Sequence, residues 1–497
     1  MGFDFDRETR RRLGYKLIDA INDYFSSLPE RAVQLPLEER SFGQLSDRMP
    51  DLGESAEQVL CDVCQELIDK GFHVPSANYF GLMNPTPTYM AVLAEALVAA
   101  LNPQLATLAR SQLASKIESE SVRWIGERIW GAAGTADPSP TKSARDDTSK
   151  GVSFDGTFTS GGNEANFSAL ALALATHFPE SVEEGVAAIG AKPVLYASAE
   201  SHHSLDKSAG LLGLGRKALR RVAVNPRAQM DVAKLEEAVA RDRASGHRPF
   251  CVVATAGTTN SGAIDDLEAL AALCRREKLW LHVDGAYGAA AIFSDQHRDL
   301  VRGLEQADSV TIDPHKWLAM PFAAGVVLTS HPESLQTAFA VATPYMPRVA
   351  GAQLVDNFKV SAQWSRRMNS LKFWLTLRVH GRLAYEELIG RQLKLAEGFA
   401  GWVRRSDDYE LAMEPQLPIL NFRVKGASEE EVAAANATVV DAVTRDGRQW
   451  ISLTRVNGRS VIRMMVISYL TGEGQLRELE VALARAVEAV TTRTRAR

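Results

Sequence analysis

The 497-residue sequence predicts an α/β protein: a large domain on a mostly parallel sheet, a helical arm before it and a small α+β domain after it. The chain is longer than the roughly 250 to 300 residues at which a single hydrophobic core stops growing, so several parts are expected. Between residues 154 and 329, short apolar runs alternate with helical segments, as in a parallel sheet covered on both faces. We expect the parts 1–78, 79–362 and 363–497.

The first part contains two amphipathic helices. The apolar face of the first is formed by Leu17, Ile18, Ile21, Tyr24 and Phe25. The second is expected over residues 55–70, after an irregular, proline-containing stretch from 35 to 50. Two helices with one apolar face each cannot form a core alone, so they should pack on another domain or another subunit. This segment is a candidate dimerisation arm.

The large domain opens with a helical pattern over residues 91–130. Residues 131–150 are rich in Gly, Ser, Thr, Pro and charge, which predicts a mobile surface loop. The strands of the sheet are expected at 154–159, 194–198, 221–224, 250–256, 279–284, 310–313 and 325–329.

The last part begins near residue 363 with a long helix. A strand is expected near 417–424, a helix near 428–446, a strand near 461–468 and a final helix after it. This order predicts a small α+β domain.

Composition narrows the class of protein. A hydrophobic content of 45%, a charged content of 24% and a formal charge of -5 indicate an ordinary globular protein without a bias towards nucleic acid. The longest apolar stretch, residues 90–101, is too short to span a membrane, and the N-terminus does not resemble a secretory signal. We therefore expect a cytoplasmic protein without membrane or nucleic-acid partners.

Cysteine usage agrees with a reducing compartment, because four cysteines in a chain of this length make no disulfide framework. Cys61 and Cys64 are spaced as a metal or redox pair, but they lie in a helical pattern and no second ligand pair follows. Small buried apolar residues are the simpler interpretation, and no metal site is expected.

Two charged residues at strand ends indicate the chemistry. Lys316 lies in Asp-Pro-His-Lys-Trp at the end of an apolar run, and Asp284 lies in His-Val-Asp-Gly-Ala-Tyr-Gly shortly before it. A lysine amine can bind the aldehyde of pyridoxal phosphate, and a carboxylate can keep the cofactor's ring nitrogen protonated. The pair therefore indicates a pyridoxal-phosphate enzyme that acts on amino acids.

Three further motifs precede this pair. Residues 159–166 form a glycine-rich turn that opens a helix, which suits a phosphate group, although many such turns only reverse the chain. In residues 201–207, His202 can stack on an aromatic cofactor and Ser204 can bind phosphate or the histidine, although two surface histidines in a polar loop are an alternative. In residues 254–265, Thr258 can bond to a ring substituent.

Taken in order, these five motifs resemble the group II pyridoxal-phosphate-dependent amino-acid decarboxylases, a family that includes glutamate, aromatic-amino-acid, histidine, tyrosine and diaminobutyrate decarboxylases. The resemblance runs from about residue 79 to the final helices. It implies the aspartate-aminotransferase-like fold (fold type I), and conversion of an L-amino acid to its amine and carbon dioxide. It also implies a homodimer with the active site at the subunit interface.

The resemblance also implies residue roles. Lys316 would bind the cofactor covalently, Asp284 would pair with the ring nitrogen, and His202 and Ala286 would lie on opposite ring faces. The expected phosphate ligands are Gly161, Gly162, Asn163 and His315. Asp313 stands where some members of the family have asparagine, which leaves its phosphate contact open.

Three residues concern the substrate. Arg463 matches a late arginine that approaches the substrate carboxylate in relatives, with a structural salt bridge as the alternative. Tyr345 lies where relatives carry the tyrosine of a mobile loop from the partner subunit, and it would protonate the substrate α-carbon. Leu82 takes a position that helps to choose the side chain, but it favours neither an acidic nor an aromatic substrate.

Other functions remain open at this point. Relatives without the loop tyrosine tend towards oxygen-dependent formation of an aldehyde, and the same fold can also catalyse other pyridoxal reactions such as elimination. A binding protein that lost catalysis is a further alternative. The joint presence of Lys316, Asp284 and His202 argues against it.

Overall fold

The computed structural model describes residues 3–40, 51–131, 153–343 and 354–495. Within these ranges the strands form one sheet of seven strands and one of four. None of the helices in these ranges is both long enough and apolar enough to cross a membrane.

The two helices of the N-terminal arm are confirmed as Arg7–Ser27 (α1) and Ala56–Lys70 (α2). The Asp6 side chain accepts a hydrogen bond from Thr9 N at the start of α1, and the Ser55 side chain accepts one from Gln58 N at the start of α2. The two helices contact each other, yet neither contains a fully buried residue. The arm therefore keeps much of its apolar surface exposed in the single chain, including Leu67, whose relative exposure is 67%.

The helical stretch predicted over 91–130 is two helices, Tyr89–Leu101 (α3) and Leu108–Trp130 (α4). Asn102 ends α3 in the left-handed conformation, with φ of 43°, and Pro103 follows it. Apart from Gly131, the loop predicted over 131–150 lies outside the described residues.

The seven-stranded sheet confirms the predicted alternation of strands and helices. Its strands are Asp155–Thr159 (β1), Pro193–Ser198 (β2), Leu219–Val222 (β3), Arg248–Thr255 (β4), Trp280–Asp284 (β5), Ser309–Ile312 (β6) and Gly325–Thr329 (β7). The helices between them are Gly162–His177 (α5), Glu180–Glu184 (α6), Ser204–Leu211 (α7), Val232–Ala244 (α8) and Leu267–Glu277 (α9), and Pro332–Phe339 (α10) follows β7.

The order of these strands is β1-β7-β6-β5-β4-β2-β3. The pairs from β6 to β3 are parallel, whereas β7 pairs in antiparallel fashion with both β6 and β1. The sheet is thus mostly parallel, as expected. Because β7 runs the other way, its first residue, Gly325, lies at the edge where the parallel strands and β1 end, and it pairs with Thr159.

The edge of this sheet is tied to the segment that leads to the C-terminal part. Glu118 of α4 is buried and forms an ion pair with Arg366, with 2.7 Å between Glu118 Oε2 and Arg366 Nη1. The same carboxylate accepts a hydrogen bond from Phe158 N in β1. Since the carboxylate and the guanidinium are both buried, each compensates the charge of the other.

The C-terminal part is built on the four-stranded antiparallel sheet. Its helices are Ser370–Arg405 (α11), Glu429–Thr444 (α12) and Glu473–Arg495 (α13), and its strands are Tyr409–Leu411 (β8), Ile419–Val424 (β9), Ser452–Val456 (β10) and Arg459–Met465 (β11). Both β9 and β11 were expected, whereas the edge strands β8 and β10 were not.

A short segment from the start of the large part joins this second sheet. Phe80 N donates to Trp450 O at 2.9 Å, and Met465 N donates to Phe80 O at 3.0 Å. The Tyr79 ring stacks on the Trp450 ring, with 5.5 Å between centroids. Tyr79 and Phe80 are therefore held by the C-terminal part.

Candidate active site

A cavity of about 340 Å³ opens where β1, β4, β5 and β6 end and β7 begins. Ligands of open α/β sheets bind outside the carboxyl ends of the strands, so this is the expected position for a site. All but one of the residues predicted to bind the cofactor line it: Gly161, Gly162, Asn163, His202, Ser204, Asp284, Ala286, His315 and Lys316.

One wall of the cavity is the turn between β1 and α5. Gly161 has φ of 143°, and a methyl group there would lie 3.0 Å from His315 Cε1. A methyl group at Gly162 would lie 2.7 Å from Asp313 Oδ2. The turn therefore requires glycine at both positions. Gly161 gives no side-chain cap to α5, so the positive N-terminal end of this 16-residue helix faces the cavity.

His315 lies beside this turn. Its Nδ1 accepts a hydrogen bond from Ala324 N at 3.0 Å, so the ring proton is on Nε2. Burial lowers the pKa of His315, which favours the neutral ring. A neutral His315 presents one N–H donor beside the glycine turn.

His202 has the same proton arrangement on the opposite side. Its Nδ1 accepts from Ser204 N at 3.1 Å, which again leaves the proton on Nε2. The ring is exposed towards the cavity, while protein packed on its other sides lowers its pKa by desolvation. His202 is therefore a neutral aromatic ring with one N–H donor.

Asp284 ends β5 and is buried in the cavity floor. Its Oδ2 accepts from Asn166 Nδ2 at 2.8 Å, and its Oδ1 accepts from Ala286 N at 3.2 Å. Hydrogen bonds to both oxygens fix the orientation of this carboxylate.

Lys316 does not end β6 directly: the strand ends at Ile312, and the lysine lies in the turn that follows. Its Nζ lies 3.1 Å from Asp313 Oδ2. Asp313 is buried, and its Oδ1 has no hydrogen-bond partner in the part of the chain that the structure describes. The side chain of Lys316 is 23% exposed, so its amine can be reached from the cavity.

Three predicted residues do not line the cavity. The buried Thr258 bonds within its own loop, with 2.7 Å between its Oγ1 and Ser261 Oγ, and Thr255, Gly257 and Thr259 line the wall instead. Leu82 is 47% exposed, and its neighbour Met83 faces the cavity.

Arg463 is the third of these residues. It is 2% exposed and lies behind the cavity wall, where its Nε donates to Thr259 O at 3.0 Å and its Nη1 to Gly81 O at 2.5 Å. Burial lowers its pKa to about 10, so the guanidinium stays charged at neutral pH. Its hydrogen-bond partners are these two carbonyls and Met465 Sδ, and among the described residues it forms no ion pair, so the alternative of a structural salt bridge is not found there.

Tyr345, the predicted proton donor, lies outside the described residues, as do all of residues 344–353. Among the described residues, no cluster of His, Cys, Asp or Glu could hold a metal ion.

These residues fit pyridoxal phosphate. At the glycine turn any side chain would collide with its neighbours, so the two glycines leave room for a phosphate. The N-terminal end of α5 and His315 Nε2 lie beside this space and can donate hydrogen bonds to a phosphate. A buried carboxylate, a reachable lysine amine and an aromatic ring line the same cavity. Together these features define the site of a pyridoxal-phosphate enzyme.

Comparison with known proteins gives the family. Residues 36–425 match the pyridoxal-dependent decarboxylase conserved domain, so the chain belongs to that family. It is a pyridoxal-phosphate-dependent amino-acid decarboxylase, a carboxy-lyase. It is 28% identical to the aromatic-L-amino-acid decarboxylase of Bacillus atrophaeus, over 97% of this chain and 96% of that protein. It is 30% identical to an acidic amino acid decarboxylase of Homo sapiens, over 76% of this chain and 69% of that protein.

Solved structures give the fold. The crystal structure of Oryza sativa TDC with PLP and tryptamine matches with a TM-score of 0.88 and 23% identity, covering 98% of this chain and 99% of that chain. The fold is therefore fold type I, as the sequence predicts.

We expect Gly162→Ala to weaken cofactor binding about tenfold or more, because overpacking a tight site costs about 1–3 kcal/mol. The new methyl group would meet the Asp313 carboxylate and the Ala286 side chain. Fluorescence titration of the cofactor-free protein with pyridoxal phosphate measures the effect. Gly398→Ala is the control, because a methyl group there, in helix α11, meets nothing within 4 Å. Equal affinity in the two variants would contradict this view of the glycine turn.

Proposed function

We propose that this enzyme releases carbon dioxide and the corresponding amine from an L-amino acid at the cavity beside β5 and β6. The observation that carries the proposal is the convergence of Lys316, Asp284 and His202 on one cavity. Bound pyridoxal phosphate supplies an electron-accepting ring for the pair released when the bond from Cα to the carboxylate breaks.

In this proposal Lys316 holds the cofactor covalently and Asp284 keeps the ring nitrogen protonated. His202 stacks on one ring face and Ala286 lies against the other. The phosphate is held by the amides at the start of α5, in the turn of Gly161, Gly162 and Asn163, and by His315 Nε2. The neutral state of His315 supports this role, since its N–H can donate without an added charge.

Asp313 takes a different role from the phosphate-binding asparagine of some relatives. Its Oδ2 lies 3.1 Å from Lys316 Nζ, which supports an ion pair that holds the lysine amine beside the phosphate turn before the cofactor binds. A second anion at this place would repel a phosphate, so pairing with the lysine is the more favourable role for this carboxylate.

For the substrate carboxylate we propose Arg463. A buried guanidinium with only carbonyl and sulfur partners in the described ranges is poorly compensated, and a carboxylate would compensate it. One of its bonds goes to the carbonyl of the wall residue Thr259, and another goes to Gly81 O, two residues before the wall residue Met83. Met83 thus joins Leu82 as a candidate for choosing the substrate side chain.

For the final step we propose Tyr345 as the group that delivers a proton to the substrate α-carbon. Its place in the sequence supports this role, because Thr-Pro-Tyr-Met at 343–346 corresponds to the loop motif of relatives. Transfer of this proton completes the amine product.

We further propose a homodimer whose active site lies at the subunit interface and whose arm comprises residues 1–78, followed by domains 79–362 and 363–497. The exposed apolar residues of α1 and α2, among them Leu17, Val63 and Leu67, support an arm that packs on a second copy. A cytoplasmic location is supported by the absence of disulfides among the cysteines, all of which are free.

The reaction is tested by a panel of aromatic, acidic and basic L-amino acids and their D-enantiomers, assayed for carbon dioxide and amine with pyridoxal phosphate added. We expect turnover of one class of L-amino acid, with carbon dioxide and amine in equal amounts, and none of its D-enantiomer. Ammonia and a keto acid without carbon dioxide would instead indicate elimination and contradict the proposal.

We expect Tyr345→Phe to keep the absorbance of bound cofactor but to shift the product from amine to aldehyde. Without the hydroxyl the α-carbon is not protonated, and oxygen and water convert the substrate to aldehyde, carbon dioxide, ammonia and hydrogen peroxide. Product analysis with an oxygen electrode measures this shift. Tyr15→Phe, on the exposed side of α1, serves as the control. An unchanged amine yield in Tyr345→Phe would rule out Tyr345 as the proton donor.

We expect Arg463→Gln to raise the KM for the amino acid about tenfold or more, because a hydrogen bond to a charged group is worth about 1.5–3 kcal/mol. Inhibition by the product amine should stay within about twofold, since the amine has no carboxylate to lose a contact. The control is Arg423→Gln, a buried arginine of β9 that pairs with Glu429 at 2.7 Å. Equal weakening of the amino acid and the amine would indicate a purely structural arginine.

A further inference from the structure

A chain of buried polar groups runs along the sheet and ends on Asp284. Trp280 Nε1 donates to Ser309 Oγ at 2.8 Å, and Ser309 Oγ lies 2.9 Å from His282 Nδ1. His282 Nε2 lies 3.0 Å from Asn166 Oδ1, and Asn166 Nδ2 donates to Asp284 Oδ2 at 2.8 Å. All five residues are at most 6% exposed, so these groups depend on one another for hydrogen bonds.

The strand geometry explains how the chain forms. Trp280, His282 and Asp284 occupy alternate positions of β5, so their side chains share one face of the sheet. Ser309 of β6 pairs with His282 in the strand register. Asn166, one turn into α5, lies over the same face.

The donor and acceptor of each hydrogen bond in this chain follow from the groups at its two ends, Asp284 and Trp280. The carboxylate of Asp284 can only accept, so the amide nitrogen of Asn166 faces it and the amide oxygen faces His282. His282 must therefore carry a proton on Nε2. Its Nδ1 lies 2.9 Å from Ser309 Oγ, which can donate to it, and 3.2 Å from the Ser309 carbonyl oxygen, which can only accept. At the other end the indole of Trp280 can only donate, so the hydroxyl proton of Ser309 is free to point at His282 Nδ1.

The charge state of His282 agrees with this direction. Desolvation by complete burial lowers the pKa of His282 and outweighs the opposite effects of Asp284 and the Ser309 carbonyl, which favours the neutral ring. A neutral ring with one donor and one acceptor completes a chain in which every group donates towards Asp284. Such a chain strengthens each of its bonds by polarising the next.

We propose that Trp280, Ser309, His282 and Asn166 act as a positioning chain that keeps the Asp284 carboxylate aimed at the ring nitrogen of the cofactor. The Asn166 amide holds Oδ2 of Asp284 in place, and the rest of the chain holds the amide, so the carboxylate meets the ring nitrogen in a fixed orientation. None of these four residues needs to touch the reacting atoms. The inference rests on the proposed pairing of Asp284 with the ring nitrogen, and it adds what controls that pairing.

The experiment compares two ligands on the full-length protein after removal of the cofactor: pyridoxal phosphate and its 1-deaza analogue, in which carbon replaces the ring nitrogen. Their affinities are measured by titration of intrinsic fluorescence. The ratio of the two affinities reports the interaction at the ring nitrogen alone, because phosphate and aldehyde are the same in both ligands. A role in folding alone would change both affinities together.

In the unchanged protein we expect a clear preference for pyridoxal phosphate. Asn166→Leu, which keeps the volume but removes the donor, should reduce this preference about tenfold or more, in line with a hydrogen bond to a charged group. Affinity for the 1-deaza analogue should stay within about twofold. A preference that is unchanged in Asn166→Leu, or an equal loss for both ligands, would overturn the proposal.

Two further variants distinguish the loss of the positioning chain from a general loss of folding. Ser309→Ala removes only one hydroxyl from the chain, and it should reduce the same preference by a smaller factor in a folded protein. Asn436→Leu is the matched control: Asn436 is fully buried in the C-terminal part and donates to Ser460 O at 3.0 Å. It should leave the preference unchanged. If the unchanged protein itself shows no preference, the pairing of Asp284 with the ring nitrogen fails, and the positioning chain fails with it.

Discussion

The parallel pairing of β5 with β6 is the constraint on which the site depends. In this register Asp284 lies opposite Thr311, so the buried carboxylate and the turn that carries Lys316 leave the sheet side by side. Two hydrogen bonds then fix the turn: Asp313 N donates to Ala286 O at 3.1 Å, and Lys316 N donates to Asp313 O at 2.9 Å. A slip of one residue would turn Asp284 and His282 to the other face of the sheet, away from Asn166.

Much of the fold could be predicted because the central strands are continuous apolar runs. The β5 strand, which is buried along its whole length, was placed to within one residue. The edge strand β10 could not be found in this way, because its Ser-Leu-Thr-Arg-Val sequence leaves several residues exposed and carries little apolar pattern. The break near Asn102 was missed although Asn102 followed by Pro103 is typical of a helix end, because the helical pattern resumes a few residues later in α4.

The site was predictable where chemistry and motif agree, as at Lys316, Asp284 and the glycine turn. The residues that line the cavity were harder to predict where this depends on which way a side chain of a loop points. Thr258 closes its own loop, and Met83 rather than Leu82 faces the cavity, because the conformation of each loop decides which neighbour turns inward. His282 was overlooked, although its position two residues before Asp284 places both on one strand face.

The hydrogen bonds of Phe80 to Trp450 and Met465 attach a segment near the cavity to the small sheet, while most of the cavity wall belongs to the large sheet. The wall with Asp284, Lys316 and the glycine turn belongs to the large sheet, and Met83 packs into the hydrophobic core of that sheet. The carbonyl of Gly81, which accepts from Arg463 Nη1, lies next to Phe80 and is held by the small sheet. Arg463 joins the two sides, because its Nε donates to the carbonyl of Thr259, a residue of the cavity wall, while its Nη1 donates to Gly81. Residues that share a partner in this way do not respond independently to substitution. A change at this one buried guanidinium would therefore be transmitted to both sides of the cavity.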